Sequence, residues 1–396
     1  MDTLRAKPTP SLSSGYLYYR DTDELLGVVR DYLQDSEHPE ESIYFLDLGE
    51  IERLYSTWVT RFPGIQPYYA IKCNPDHGFI QKLADLGANF DCASIAEIDR
   101  VLQLGISPSR ILFANPCKRR RDIVTAYQKG VRIVTFDTEA ELEKIGEVCP
   151  RMRCMLRIYA KDPEAVCQFA HKFGCPPEKW RDILAVAARY SIEIIGASFH
   201  VGSGASSGSA YEEAIRQARA FHDLAAEHGH QIKLIDIGGG FVSHKLKNIP
   251  ETIGFALSRY FPSELECRII AEPGRYFAET SGYLATNVIG VRKTETTRDY
   301  WITDSLYGSF NCILYDHYTP DAETFVESNK KYKTTLYGPT CDGLDKIAEL
   351  DGFPELEMND WIFFRRMGAY TLAGACNFNG IPFLNTHIMY LLQTGG

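Results

Sequence analysis

The chain has no uninterrupted apolar run of the ~18 residues that a membrane-spanning helix needs, and no pair of cysteines spaced as CxxC. Its eleven cysteines are odd in number and scattered. Neither a disulfide framework nor a zinc site is expected from them, and no metal is called for; most read as reduced, buried, small apolar residues. Positive charge is also short. Forty-two Lys and Arg stand against 52 Asp and Glu, a formal net charge of -10. That balance argues against a nucleic acid or an anionic membrane as partner, since both need clustered positive potential. The one basic run, "CKRRR" at Cys117 to Arg121, reads as the opening of a solvated helix behind the strand-like "ILFANP". The N-terminal "MDTLRAKPTPSLSSGYLYY" shows no charged-then-apolar leader pattern, so a cytoplasmic location is the expectation. Internal repeats and low-complexity linkers are absent as well.

What is present is an alternation. With 396 residues, 45% of them hydrophobic, the chain has room for one large domain and a smaller one. From Pro67 to about Pro273, eight short β-branched or aromatic runs alternate with longer helical patterns: "YYAIK", "NFDCAS", "ILFANP", "RIVTFD", "CMLRI", "IIGASFH", "KLIDIG" and "RIIAEP". Eight βα units predict an α/β fold of the closed (β/α)8, TIM-like kind, over residues 43–275. Beyond Pro273 the runs "YLATNVIGVRK", "DYWITD", "TTLYGPT" and "WIFFRRMGAYTLA" alternate with polar turns and predict a mostly antiparallel β-domain over 276–396. The N-terminal segment, 1–42, is expected to join that β-domain, with "SIYFLDL" supplying a strand.

A barrel of this kind carries its chemistry at the C-terminal ends of its strands. Lys72 ends the first run, Asp91 lies in the second, Arg157 is late in the fifth, His200 ends the sixth, Gly238 to Gly240 follow the seventh and Glu272 ends the eighth. "IDIGGGF" offers bare backbone N–H groups that can approach an anion, "SFHVGSG" adds a second such loop with the Ser203 hydroxyl, and "AEPGR" adds Arg275 as a bidentate phosphate partner. A phosphate site beside a strand-end lysine points to pyridoxal phosphate, whose aldehyde takes a lysine amine. Glu272 beside the pyridine nitrogen would keep it protonated. Read singly, Lys72 also fits a lysine snorkelling off a strand end, and His200 either a ring-stacking residue or a satisfied core histidine.

Nine segments, "PYYAIKCNP", "FDCASIAEI", "ILFANPCK", "SFHVGSG", "DIGGGF", "AEPGRY", "YGSFNCILYDH", "GPTCDGLD" and "GAYTLAGACNFNG", together resemble the fold-type III pyridoxal-phosphate decarboxylases. Within that family the resemblance is to the ornithine decarboxylase group, over nearly the whole chain. It implies that Lys72 forms the Schiff base with pyridoxal 5'-phosphate, that His200 stacks on the ring and that Glu272 pairs with the pyridine nitrogen. Ser203, Gly239, Gly240, Arg275 and Tyr370 are implied as the phosphate cradle, with Arg157 and Asp91 as polar residues near the ring. It further implies a homodimer with shared active sites, in which Cys341 reprotonates the α-carbon and Asp342 reaches the partner's site. Asp316 and Asp342 would pair with the distal ammonium of a basic amino acid, between the aromatics Tyr307 and Phe378.

The implied reaction is decarboxylation of L-ornithine to putrescine and carbon dioxide, in polyamine biosynthesis. L-Lysine, longer by one methylene and giving cadaverine, is the main competing substrate. An amino-acid racemase on a similar barrel, or a non-catalytic homologue that titrates a regulator, are the other readings. The joint presence of Lys72, His200, Glu272, Arg275, Tyr370, Cys341 and Asp342 weighs against the last.

Overall fold

The computed structural model describes residues 14–35, 40–161, 171–205 and 207–394. Of the N-terminal segment, residues 1–13 and 36–39 lie outside these. The chain divides into two compact units, one running to Ile51 and resuming at Glu279, the other spanning Glu52–Ala278.

The Glu52–Ala278 unit is a closed barrel of eight parallel strands: Ile65–Ala70, Asn89–Cys92, Ile111–Phe113, Ile133–Phe136, Arg153–Arg157, Glu193–Ser198, Leu234–Asp236 and Arg268–Ala271. Each of the eight runs read from the sequence supplies one strand. Ile269 and Ile270 pair with Ile65 and Gln66 to close the ring. Helices follow the first seven strands, the longest being Ser209–Glu227. Their starts are written locally: Asp76, Ser94 and Thr138 accept hydrogen bonds from the N–H groups of Phe79, Glu97 and Glu141. Tyr68, Leu112, Met155, Ile195, Leu234 and Ile270, from six different strands, pack into the barrel interior.

The other unit is built on a nine-stranded sheet. Its path runs Ser14–Tyr19, His387–Gln393, Ile43–Asp47, Gly282–Lys293, Thr297–Ile302, Lys331–Tyr337 and Lys346–Pro354; Trp361–Phe364 branches from Gly282–Lys293 and carries Ala322–Thr324. Most pairings are antiparallel, but Ile43–Asp47 lies parallel to His387–Gln393. Ile43–Asp47 also pairs antiparallel with Gly282–Lys293. The boundary therefore falls later than residue 43, because all five residues of this strand are buried within the sheet. "WIFFRRMGAYTLA" forms a strand only as far as Phe364. Arg366 and Tyr370 take left-handed backbone conformations, φ 57° and 56°, which a strand cannot contain. Among the described residues no helix is long and apolar enough to cross a membrane.

One reading from the basic run is corrected. Arg119, Arg120 and Arg121 are exposed around the start of the helix Arg120–Gln128, but Lys118 is buried. Its Nζ pairs with Glu141 at 2.9 Å and donates to the carbonyls of Asn115 at 2.8 Å and Thr135 at 2.6 Å. This ammonium ties the end of the third strand to the fourth strand and the helix Glu139–Val148. Removing one partner of such a pair leaves a buried charge uncompensated. Lys118→Ala is therefore expected to destabilise the protein by ~3–5 kcal/mol in urea denaturation. The double variant Lys118→Met with Glu141→Leu should recover much of that loss.

Candidate active site

The barrel alternates its side chains with period two, so a residue two beyond an interior position faces the interior again. From the apolar layer, this step leads from Ile133, Met155, Leu234 and Ile270 to Thr135, Arg157, Asp236 and Glu272. The register places Asp91 beside Ala70 and Leu112, and Ser198 beside Arg157 and Asp236. Six polar side chains thus gather toward the C-terminal mouth, at the edge of the apolar core and just beyond it.

Burying them is costly unless every polar atom is satisfied. Here several are not: Asp91 Oδ1, Thr135 Oγ1, Ser198 Oγ and Asp236 Oδ2 have no hydrogen-bond partner in the protein. Burial pushes the Asp236 and Glu272 carboxyls upward, Glu272 well above the carboxylate range with the charges of Asp236 and Asp91 adding to it, and Asp236 to about 7, held down by its hydrogen bonds with Glu272 and the Gly238 N–H. Burial also lowers the Arg157 guanidinium, whose carbon lies 4.8 Å from the centre of the Phe173 ring.

Lys72 stands two residues beyond its strand, which ends at Ala70 rather than at the lysine. Its side chain is 46% exposed and its Nζ lies 2.7 Å from Asp91 Oδ2. The ammonium is therefore held at the rim by a fully buried carboxylate rather than buried itself. His200 Nδ1 accepts from the Gly202 N–H at 3.0 Å, which assigns the imidazole proton to Nε2. Burial first, then Arg157 and Lys72, hold its pKa well below the ordinary value, so the ring is neutral.

The glycines beside it are required by space. A Cβ on Gly238, at φ 67°, would stand 2.0 Å from the Phe199 carbonyl, and one on Gly239 would stand 2.9 Å from His200 Nε2. Ala205 N–H donates to the Gly240 carbonyl at 3.1 Å and Tyr211 hydroxyl to the Gly239 carbonyl at 2.8 Å, so the Ser203 loop and the glycine loop are tied together. Phe241 anchors the glycine loop, packed edge-on against Trp58 and stacked on Tyr211. Arg275 opens the short helix Arg275–Ala278 that follows the eighth strand. A rim amine, a neutral flat imidazole, an inward carboxyl, bare-backbone glycine loops and orphaned polar atoms beneath them fit pyridoxal phosphate.

In the sheet unit, three segments are stapled together. Asp345, buried, accepts from Ser305 Oγ at 2.9 Å, Leu306 N–H at 2.9 Å, Thr340 N–H at 3.2 Å and Thr340 Oγ1 at 2.6 Å. This joins the loop of Tyr307 to that of Cys341 and Asp342. The Tyr307 hydroxyl donates to Asp342 Oδ2, and its ring stacks on Phe378 with centroids 4.0 Å apart. The Leu344 N–H and then Tyr307 hold the Asp342 carboxyl below its usual range, while Tyr307 itself is raised to about 12. Cys341 is exposed, its N–H donating to Asn379 Oδ1 at 3.0 Å. Asn311 Nδ2 donates to the carbonyls of Gly308 and of Thr371, beside the left-handed Tyr370. Asp316 caps the helix Asn311–Tyr315 through its N–H to the Cys312 carbonyl.

The sequence reading passed over Asp236, Ser198 and Asp345. Asp236 stands within "IDIGGGF", where the glycines drew attention; its position two residues before Gly238, at the end of an interior-facing strand, was the available signal.

The barrel segment, residues 48–279, matches the family described as pyridoxal-dependent decarboxylase, pyridoxal binding domain. The chain is 44% identical over 383 residues to the chloroplastic ornithine decarboxylase of Nicotiana glauca, covering 93% of this chain and 88% of that one. It is 40% identical to antizyme inhibitor 2 of Xenopus laevis, over 86% and 79% of the two chains. The arginine decarboxylase of Paramecium bursaria Chlorella virus superposes with a TM-score of 0.87 at 36% identity, covering 92% of this chain and 99% of that one. With the rim lysine, the glycine loops and the inward carboxyls in place, the chain belongs to the pyridoxal-phosphate-dependent amino-acid decarboxylases of fold type III, the family that includes ornithine decarboxylase.

Proposed function

We propose that this protein decarboxylates L-ornithine to putrescine and carbon dioxide, as a step of polyamine biosynthesis. The observation that carries the reading is the Asp342 carboxylate, fixed as an anion by Leu344 N–H and Tyr307 hydroxyl against the Tyr307–Phe378 stack. Such a group suits the distal ammonium of a diamino acid, and a neutral side chain would leave it desolvated without a partner. Asp316 is assigned as the second carboxylate for that ammonium. The 44% identity to a plant ornithine decarboxylase supports ornithine over lysine.

The cofactor, when bound, supplies the ring that takes up the electron pair of the breaking carbon–carboxylate bond. Lys72 anchors it, and Asp91 Oδ2 orients Nζ. His200 presents an uncharged face to the ring. Glu272 faces the ring nitrogen, and Ser203, Gly239, Gly240, Arg275 and Tyr370 take the phosphate; Arg157 balances the carboxyls beneath. The Cys341 thiol delivers a proton to the α-carbon after carbon dioxide leaves.

We assign the active form to a homodimer in which Cys341 and Asp342 of one chain serve the barrel of the other. Supporting this, Cys341 is exposed and Leu344 beside it keeps 78% of its surface open to solvent, alongside the exposed Leu314 and Tyr315 of the same unit. The likeness to antizyme inhibitor 2 raises the non-catalytic reading, against which stand Lys72, His200 and Glu272 together at the barrel mouth.

Carbon dioxide release with added pyridoxal phosphate, measured on ornithine, lysine and arginine in parallel, should give putrescine as the dominant amine. An extra methylene is worth about 1–3 kcal/mol, so a roughly 10- to 200-fold preference in kcat/KM for ornithine over lysine is expected. Cadaverine as the main product would move the specificity to lysine, and no release from any substrate with cofactor bound would favour the non-catalytic reading. Lys72→Ala should abolish turnover, Asp342→Asn should lower kcat/KM on the order of tenfold through KM, and Cys341→Ala should yield misprotonated side products.

Subunit exchange gives a separate check. Mixing Lys72→Ala with Cys341→Ala chains, each defective alone, should restore about a quarter of the parent activity, since half the dimers are mixed and each holds one intact site. No recovery after confirmed exchange would count against shared sites.

A further inference from the structure

Charge inside the barrel mouth does not balance without an added proton. Three carboxyls, those of Asp91, Asp236 and Glu272, meet two cationic side chains, Lys72 and Arg157. Lys72 pairs with Asp91 at 2.7 Å. Arg157 faces Asp236 and Glu272 together, and Asp91 and Asp137 as well. The neutral His200 adds no charge, and Glu97, near Lys72 and Asp91, adds another acid. Acids outnumber cations there, so at least one of the carboxyls beside Arg157 is left uncompensated, and one as fully buried as Asp236 takes up a proton instead of staying charged.

The geometry locates that proton. Asp236 is completely buried; its Oδ1 accepts from the Gly238 N–H at 2.8 Å, while Oδ2 meets no protein donor. The adjoining polar group is the Glu272 carboxyl: the Glu272 N–H donates to the Gly238 carbonyl at 2.7 Å, beside the Gly238 N–H that Asp236 binds, and the two carboxyls come within hydrogen-bonding reach. Two carboxyls in contact bond only through a shared hydrogen.

We propose that Asp236 and Glu272 share one proton in the cofactor-free protein and give it up when the protonated ring nitrogen of pyridoxal phosphate takes its place opposite Glu272. This rests on the assignment of Glu272 as the ring nitrogen's partner. The carboxyl O–H bond breaks and its proton passes to solvent, while the incoming pyridinium keeps its N–H and replaces that positive charge. The layer's total charge is unchanged and no electron is transferred. Asp236 is then a positioning residue that acts through Glu272: it stores the compensating proton while the site is empty, and its own negative charge afterwards helps hold the ring nitrogen protonated.

The test is infrared difference spectroscopy on the full-length protein, stripped of cofactor and then reloaded with pyridoxal phosphate. A C=O stretch of a protonated carboxyl is expected in the stripped protein, lost on reloading, and missing from stripped Asp236→Asn. Calorimetry of cofactor binding at neutral pH, in buffers of different ionisation heat, should show the parent releasing about one proton more per site than the variant. Absence of the band from the stripped parent overturns the proposal and leaves the Glu272 assignment standing. A band that persists in the loaded parent overturns both.

Stability adds an independent readout. A carboxyl raised from 3.8 to about 7 holds its proton longer folded than unfolded, so its contribution is complete below 3.8 and is lost as pH rises toward 7. The melting temperature of stripped Asp236→Asn, relative to the stripped parent, should therefore climb across that interval. A flat difference would contradict the shared proton.

Discussion

Everything at the barrel mouth follows from the burial of carboxyls above an apolar core. Eight parallel strands closed on themselves leave an interior that side chains must fill, and strict alternation decides which ones enter. Leu112 and Ile270 of the apolar layer stand beside Asp91 and Asp236 in the register, and Glu272 lies one two-residue step beyond Ile270, so the polar layer begins at the edge of the apolar one. The apolar layer is stabilised by its exclusion of water. The polar layer is destabilised by it, and its charges then have to be settled among Lys72, Arg157 and protons.

Buried carboxyls fall into two kinds, those saturated by their own chain and those, Glu279 of the sheet unit among them, that keep an unsatisfied oxygen. Asp345 and Asp304 of the sheet unit are satisfied by backbone N–H groups and hydroxyls, and they fix loops: Asp304 accepts from the N–H groups of Ser305 and Ser309 at 2.7 and 2.8 Å. Asp91 and Asp236 each keep an unsatisfied oxygen. Groups saturated by their own chain hold shape, while those left short retain capacity for a ligand.

Much of the architecture was legible because it rests on local pattern. The eight strand runs between Pro67 and Pro273 could be counted directly, and the glycine loop, the rim lysine and Glu272 were visible as unlike residues at strand ends. The failures were tertiary. "WIFFRRMGAYTLA" has strand chemistry throughout, yet Asn311, 60 residues away in sequence from Thr371, pins the turn beside Tyr370 and no ladder continues. Lys118 sits among arginines and looks solvated, but the fourth strand and the helix Glu139–Val148 close over it and supply its carbonyls and carboxylate. "SIYFLDL" does supply the expected strand to the sheet, as Ile43–Asp47, but its two partners, His387–Gln393 and Gly282–Lys293, lie far away in the chain and no local signal names them.

The sequence by itself carried the barrel, because strand and helix periodicity is written in consecutive residues, and the resemblance of nine segments carried the family; it offered Lys72, His200 and Glu272 as candidates for the cofactor site but not Asp236. It also named Tyr307, Asp342 and Phe378 without their arrangement. Only the tertiary structure decided that Asp342 is anchored by Tyr307, that Lys72 is exposed at the rim on a buried Asp91, and that Asp236 lies against Glu272. Those facts depend on distances between strands and loops remote in sequence. Protonation states depend on them in turn, because solvation and neighbouring charge are properties of a place in space rather than of a residue in a chain.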